Sequence, residues 1–322
     1  MASSKVLMIG MGAGAAVAIA IAVAAFATMG GSATTTPAAA PDNNNAEGAQ
    51  KVKVIASFFP LYDFTRQVGG DRADVSVMVP PGVEPHDWEP TPQQIQRASS
   101  ANMLVYNGAG FEKWVDAVGA NFTVNTSEGM SLLNNEDPEE QKEHGLYDPH
   151  IWLDPVLAKH QVDKIREGLV KIDPPNADYY NANAAKFASE LDALDSHIKS
   201  ELSSCEKKDF IAFHEAFSYF SNRYNLTQHA VHDSLTPEGE ILPQRLEELV
   251  KLAKDLDIHV VYSEELVDPR LAQVIASEIP NGRVLTLSPI EGLDEQEQAA
   301  GLGYLDKMRE DVANLKVGLV CS

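Results

Sequence analysis

A stretch of about 28 residues near the middle of the chain, PNADYYNANAAKFASELDALDSHIKSEL, sets the frame for what lies on either side. Its apolar residues Tyr180, Ala184, Phe187, Leu191, Leu194, Ile198 and Leu202 recur at steps of three and four. That spacing makes one apolar face of an α-helix. At 1.5 Å per residue the helix is about 40 Å long. Pro174 and Pro175 lead into it, and proline suits a first helical turn. A rod of this length can run along two lobes as a stiff connector. A hinge of crossing strands would show short Gly-rich links instead.

The text on both sides of the helix has one rhythm. Before it, short apolar runs over 52–57, 75–79, 103–107 and 122–125 predict four strands, with helical patterns over 61–68, 93–98 and 111–118. After it, strands are expected over 210–213, 228–231, 259–262 and 284–287, with helices over 215–224, 243–256 and 269–279. A last helical stretch over 303–319 places Leu305, Met308, Val312 and Leu315 at helical spacing. Strand and helix in alternation imply parallel sheets. The expected fold is α/β: two similar lobes with parallel four-stranded sheets, residues 51–172 and 205–322, joined by one connector helix over 173–204, with a cleft between them.

Ahead of the lobes, residues 6–29 carry no charge and follow Lys5. The run is long enough to span a bilayer, and Ala25-Phe26-Ala27 resembles a signal-cleavage site. Residues 1–30 are therefore an N-terminal membrane anchor or a signal sequence, and the reading favours a retained anchor. Either way the remainder is extracytoplasmic. Residues 31–50 are small and polar without apolar periodicity, as in a flexible linker. The net charge of −22 argues against nucleic acid, whose phosphates need Lys and Arg. Cys205 and Cys321 are the two cysteines, and an exported chain permits a disulfide between them.

Four side chains are candidate ligands: three follow predicted strands, at whose carboxyl ends ligands bind in such folds, and His150 opens a helix on the same kind of loop. His86 lies in PPGVEPHDW, His150 in DPHIWLDP, His214 in FHEAF and Glu291 in LSPIEGL. Three imidazoles and a carboxylate form a complete tetrahedral set for Zn²⁺, whereas Mn²⁺ prefers more oxygen. His144, in the acidic stretch over 135–144, is an auxiliary metal contact to consider. His160, His197 and His259 sit in ordinary helical or strand text, and His229 and His232 are ambiguous. His214-Glu215 opens like the H-E-x-x-H zinc-protease motif, but Ser218 occupies the second histidine position. There is no G-x-S-x-G and no phosphate-binding Gly loop. No catalytic residues are expected.

Several ordered stretches together resemble the cluster A-I metal-binding proteins of ABC importers. They are ASFFPLYDFT from Ala56, GGD from Gly69, PPGVEPHDWEPTP from Pro80, YNGAGFEKW from Tyr106, DPHIWLDP from Asp148 and FHEAFSYF from Phe213. The resemblance runs from about Val52 to Leu319. It implies two α/β lobes joined by a long helix, with the metal between them and His86, His150 and His214 as ligands. Manganese members place an aspartate where this chain has Ser288. The text LSPIEGL is similar to the zinc branch, in which a glutamate, here Glu291, is the fourth ligand. The long His-rich loop of many zinc members is reduced here to 136–144. The resemblance implies a monomeric carrier that captures Zn²⁺ outside the membrane and passes it to an ABC transporter permease. The alternatives are a manganese or broad divalent-metal binder and a membrane-tethered zinc hydrolase. An adhesive role is weaker still, since nothing in the sequence marks an adhesive surface.

Overall fold

Two four-stranded parallel sheets carry the fold. The first holds β1 (Val52–Ala56), β2 (Ala73–Val77), β3 (Met103–Tyr106) and β4 (Thr123–Asn125) in the order β2-β1-β3-β4. The second holds β5 (Asp209–Ala212), β6 (Thr227–Ala230), β7 (Val260–Ser263) and β8 (Arg283–Thr286) in the order β6-β5-β7-β8. The structure is a computed structural model that describes residues 51–135, 141–142, 145–237 and 241–322. The N-terminal apolar run, the linker and His144 lie outside the described residues. Among the described residues no helix is long and apolar enough to cross a membrane.

Composition follows position in the sheet. The inner strands β1, β3, β5 and β7 are mostly buried, and β7 is buried at every residue. The edge strands β2, β4, β6 and β8 carry Asp, Ser, Thr, Gln and Arg and are largely half-exposed. Strands covered by helices on both faces need continuous apolar text, and edges do not. The helices are α1 (Phe59–Gly69), α2 (Pro92–Ser99), α3 (Val115–Val118), α4 (Pro155–Ile172) and α5 (Ala177–Leu202) in the first half. In the second half they are α6 (Ser218–Tyr224), α7 (Pro243–Asp255), α8 (Arg270–Ser277), α9 (Glu295–Ala300) and α10 (Tyr304–Gly318).

Helix α5 is the connector, and all seven apolar residues of its predicted face are buried. They join one continuous core that reaches from Val54 and Phe64 in the first lobe to Tyr262 and Leu315 in the second. Each of the buried Leu, Ile and Phe side chains contributes about 1.5–3 kcal/mol, and Leu191→Ala would cost about 2–5 kcal/mol. The lobes are also tied directly. Arg223 of α6 grips Asp154, the N-cap of α4, with Nε 2.8 Å from both carboxylate oxygens. Tyr304 of α10 donates its backbone N–H to Asp63 of α1 at 3.0 Å. Cys205 and Cys321 are joined by a disulfide that ties the end of α5 to the end of α10.

Local departures from the sequence expectations have physical causes. The helix expected over 111–118 shrinks to α3. Its first residues instead form a turn closed by Glu112, whose carboxylate accepts the N–H groups of Asn107 at 2.8 Å and Gly108 at 3.0 Å. Gly108 has φ +79, and a Cβ there would collide with the side chains of Asn125 and Ser127. The helix expected over 215–224 begins only at Ser218, because the preceding N–H groups are committed elsewhere. Glu215 N donates to Ser234 O at 2.9 Å and Phe217 N to Gln228 Oε1 at 2.6 Å. Strand β2 begins at Ala73 rather than 75 and ends at Val77, yet Met78 and Val79 still donate to Ala56 and Ser57.

Candidate metal centre

The four side chains arrive on different elements. His86 lies on the proline-rich loop beyond β2, where Glu84 Oε1 accepts its backbone N–H at 2.8 Å. His150 precedes the short 3-10 turn Ile151–Leu153. The Pro149 carbonyl accepts from Asn107 Nδ2 at 2.9 Å, which fastens that loop to the carboxyl end of β3. His214 stands two residues beyond β5. Glu291 stands five residues beyond β8, after Ile290, which holds a left-handed φ of +57. Both sheets reverse direction of strand addition at their inner pair, β1 with β3 and β5 with β7. Ligand sites form outside the carboxyl ends at such switch points.

One nitrogen from each of His86, His150 and His214 and one oxygen of Glu291 lie within 4.8 Å of one another. Glu291 Oε1 is 3.1 Å from His86 Nε2, 3.2 Å from His150 Nε2 and 3.5 Å from His214 Nε2. His150 Nε2 is 3.3 Å from both His86 Nε2 and His214 Nε2. A tetrahedron of donors about 2.0–2.1 Å from a central zinc has edges of about 3.3 Å. Five of the six edges here match that length. His150 and His214 are fully buried and Glu291 is 2% exposed.

The far nitrogens explain why the near ones face inward. His150 Nδ1 donates to Asp148 Oδ1 at 2.8 Å, and His214 Nδ1 donates to Glu264 Oε1 at 2.7 Å. A carboxylate on one ring nitrogen fixes the tautomer and leaves the other nitrogen's lone pair free. Aromatic rings close the sides. Phe111 meets His86 edge-on at 4.9 Å, and Trp152 lies 5.2 Å from His150. Trp152 Nε1 donates to the Pro289 carbonyl at 2.7 Å, joining the His150 segment to the Glu291 loop across the lobes. Glu291 also borders a cavity of about 710 Å³ that includes Asp63, Asp71 and Asp306.

Protonation is shaped by burial and by the carboxylates. Burial pulls His86 down to about 4 against the attraction of Glu291. For His150 burial also favours the neutral ring, but Asp148 and Glu291 outweigh it and the net shift is upward. His214 is raised well above the usual histidine range, because Glu264 and Glu291 overcome its burial. Burial raises Glu291, yet the three imidazoles hold it well below the usual carboxylate range. Three imidazoles around one anionic oxygen could hold a metal ion.

The family described as the periplasmic zinc-uptake complex component A, ZnuA, matches residues 54–318. The chain belongs to this family. The "High-affinity zinc uptake system protein ZnuA" of Bacillus subtilis is 36% identical over 301 residues, covering 88% of this chain and 93% of that protein. The "Zinc-binding protein AdcA" of Streptococcus pyogenes is 34% identical over 295 residues, which is 84% of this chain and 56% of AdcA. The chain therefore spans little more than half of that second relative. The crystal structure of the Zn(II)-bound ZnuA-like domain of Streptococcus pneumoniae AdcA superposes with a TM-score of 0.73 at 31% identity. It covers 84% of this chain and 99% of that one.

Within this family member, the structure brings together His86, His150, His214 and Glu291. Other described histidines have partners outside the cluster. His160 contacts the Glu128 carbonyl at 2.9 Å, His229 pairs with Asp209 at 2.9 Å, and His259 contacts the Pro280 carbonyl at 2.8 Å. His232 packs on Phe213, and burial lowers it to about 4. Three residues that shape the site had no role assigned to them from the sequence: Asp148, Glu264 and Trp152. Asp148 had a local signal, since its carboxylate stands two residues before a histidine. Glu264 had none, because its pairing with His214 depends on β5 and β7 being neighbours.

Proposed function

We propose that this chain captures Zn²⁺ outside the cytoplasm and delivers it to the permease of an ABC-type importer. The observation that carries the proposal is the spacing of His86, His150, His214 and Glu291, whose donor atoms sit at the corners of a zinc-sized tetrahedron. Family membership and the names of the relatives support the same cargo. Four protein donors leave no open position for an activated water, so the chain acts as a carrier and not as a hydrolase. One chain supplies all four donors, so the site needs no second copy, which is consistent with a monomeric carrier. The N-terminal apolar segment holds it at the membrane beside its permease or is removed on export, and the polar linker gives it reach.

Nitrogen-rich coordination favours Zn²⁺ over Mn²⁺. The test is elemental analysis of protein purified without added metal, followed by competition titration of Zn²⁺ against Mn²⁺. One zinc per chain, not displaced by excess manganese, is expected. Manganese binding of equal strength would replace the zinc assignment with a broad divalent-metal carrier.

A further inference from the structure

The loop that presents Glu291 is held by a polar cluster outside the four-donor centre. Ser288 is fully buried two residues beyond β8. Its backbone N–H donates to Asp311 Oδ1 of α10 at 2.7 Å. Its hydroxyl donates to Glu265 Oε1 and accepts the N–H of Ile290 at 3.0 Å. Lys307, 1% exposed in its side chain, stands behind the cluster, 3.7 Å from Glu265 and 2.5 Å from Glu297. Buried carboxylates and a buried ammonium are costly to desolvate. Here the two carboxylates of Asp311 and Glu265 bond to one serine, and Lys307 pairs with Glu265 behind it.

Ile290 is a β-branched residue in the left-handed region, a conformation that costs about 1–3 kcal/mol and persists only where surrounding bonds enforce it. The Ser288 hydroxyl supplies such a bond. It closes a tight turn over Pro289, and the next residue after Ile290 is the carboxylate of the centre. Without that bond Ile290 can relax to negative φ, which would swing Glu291 away from the three imidazoles. Serine suits the place because one hydroxyl can donate to Glu265 and accept from Ile290 at once.

We propose that Ser288, set by Glu265 and Asp311, is the positioning residue that holds Glu291 in the metal centre and so governs how tightly zinc is retained. This rests on Glu291 being a zinc ligand. Loss of an outer hydrogen bond of this kind weakens metal affinity about 10–100-fold.

The test is a double-mutant cycle in the full chain, with zinc affinity by chelator competition and zinc coordination by X-ray absorption. Ser288→Ala is expected to weaken zinc binding about 10-fold or more, with a coordination shell like that of Glu291→Ala. Ser288→Thr, which keeps the hydroxyl, is expected to restore most of the affinity. In a Glu291→Ala background, Ser288→Ala should add nothing, because its effect passes through Glu291. Additive losses would overturn the proposal and leave Ser288 a general structural residue. If Glu291→Ala weakens zinc and Ser288→Ala does not, the positioning role fails while the four-ligand site stands. If Glu291→Ala changes nothing, both fail. A variant that does not fold is replaced by Glu265→Gln, which keeps the volume and an acceptor oxygen and should give the smaller loss of the two.

Discussion

Glu264 Oε1 and His214 Nδ1 lie 2.7 Å apart because their strands are neighbours in register. Ile211 of β5 pairs with Val261 of β7, and three residues further along each strand stand His214 and Glu264. The carboxyl ends of this inner strand pair therefore deliver both the imidazole and the carboxylate that orients it. Glu264→Ala should free the ring to rotate and change tautomer, weakening zinc binding about 10–100-fold. Glu264→Gln should weaken it less, since an amide oxygen still accepts the Nδ1–H. Competition with a fluorescent zinc chelator measures both, and equal affinity in all three proteins would deny the orienting role.

Truncation of the donors should rank in a set order. Zinc in a four-ligand protein site is bound by about 10–16 kcal/mol, so one lost ligand costs about 3 kcal/mol, or about 100-fold in affinity. His86→Ala, His150→Ala and His214→Ala should each reach that loss. Glu291→Ala should cost less, because water can take the place of one carboxylate oxygen. Isothermal titration of the four variants checks the order, and a Glu291 variant with unchanged affinity would remove it from the centre.

Acid should release the metal, and the number of protons involved is specific. The carboxylates raise His150 and His214 above 6.5, so below that pH both hold protons that zinc must displace. His86, at about 4, stays neutral through this range. Zinc binding near pH 6 should therefore release about two protons, and affinity should fall as pH drops. The sign for folding is opposite. Two histidines with raised folded values stabilise the metal-free protein fully below 6.5, and that contribution is lost as pH rises through their folded values. The zinc-induced rise in melting temperature should thus grow with pH. Calorimetry in buffers of different ionisation enthalpy counts the protons, and a count of zero would contradict the histidine assignment.

The disulfide closes a loop with a sequence separation of 116 residues. In the chain-entropy model it restricts the unfolded state by about 4–5 kcal/mol. Reduction should lower the melting temperature by roughly 10 °C and leave zinc affinity nearly unchanged, since neither sulfur belongs to the metal centre. Thiol labelling of unreduced, denatured protein gives the complementary check: two reactive thiols per chain would show that the bridge does not form.

Much of this architecture was legible in the sequence because it depends on local period. The face of α5 follows from steps of three and four, and the eight strands follow from short apolar runs between turn residues. His86 and His214 could be picked out because each lies in a loop after a strand, and His150 because it opens a helix in the motif DPHIWLDP. What stayed hidden was set by strand order. That β5 and β7 are neighbours, and hence that Glu264 meets His214, cannot be read from either segment alone. The same holds for Trp152, whose partner is the Pro289 carbonyl in the other lobe. The starts of α3 and α6 were misplaced because distant side chains and loops claim their N–H groups.

The central claim is a closed zinc centre of three imidazoles and one carboxylate. X-ray absorption at the zinc K-edge, on protein loaded with one equivalent, tests it most directly. The expected spectrum has four nitrogen and oxygen neighbours at about 2.0–2.1 Å, with outer-shell scattering from about three imidazole rings, matching the three histidines of the centre. A six-coordinate shell dominated by oxygen, or one with sulfur at about 2.3 Å, would contradict it.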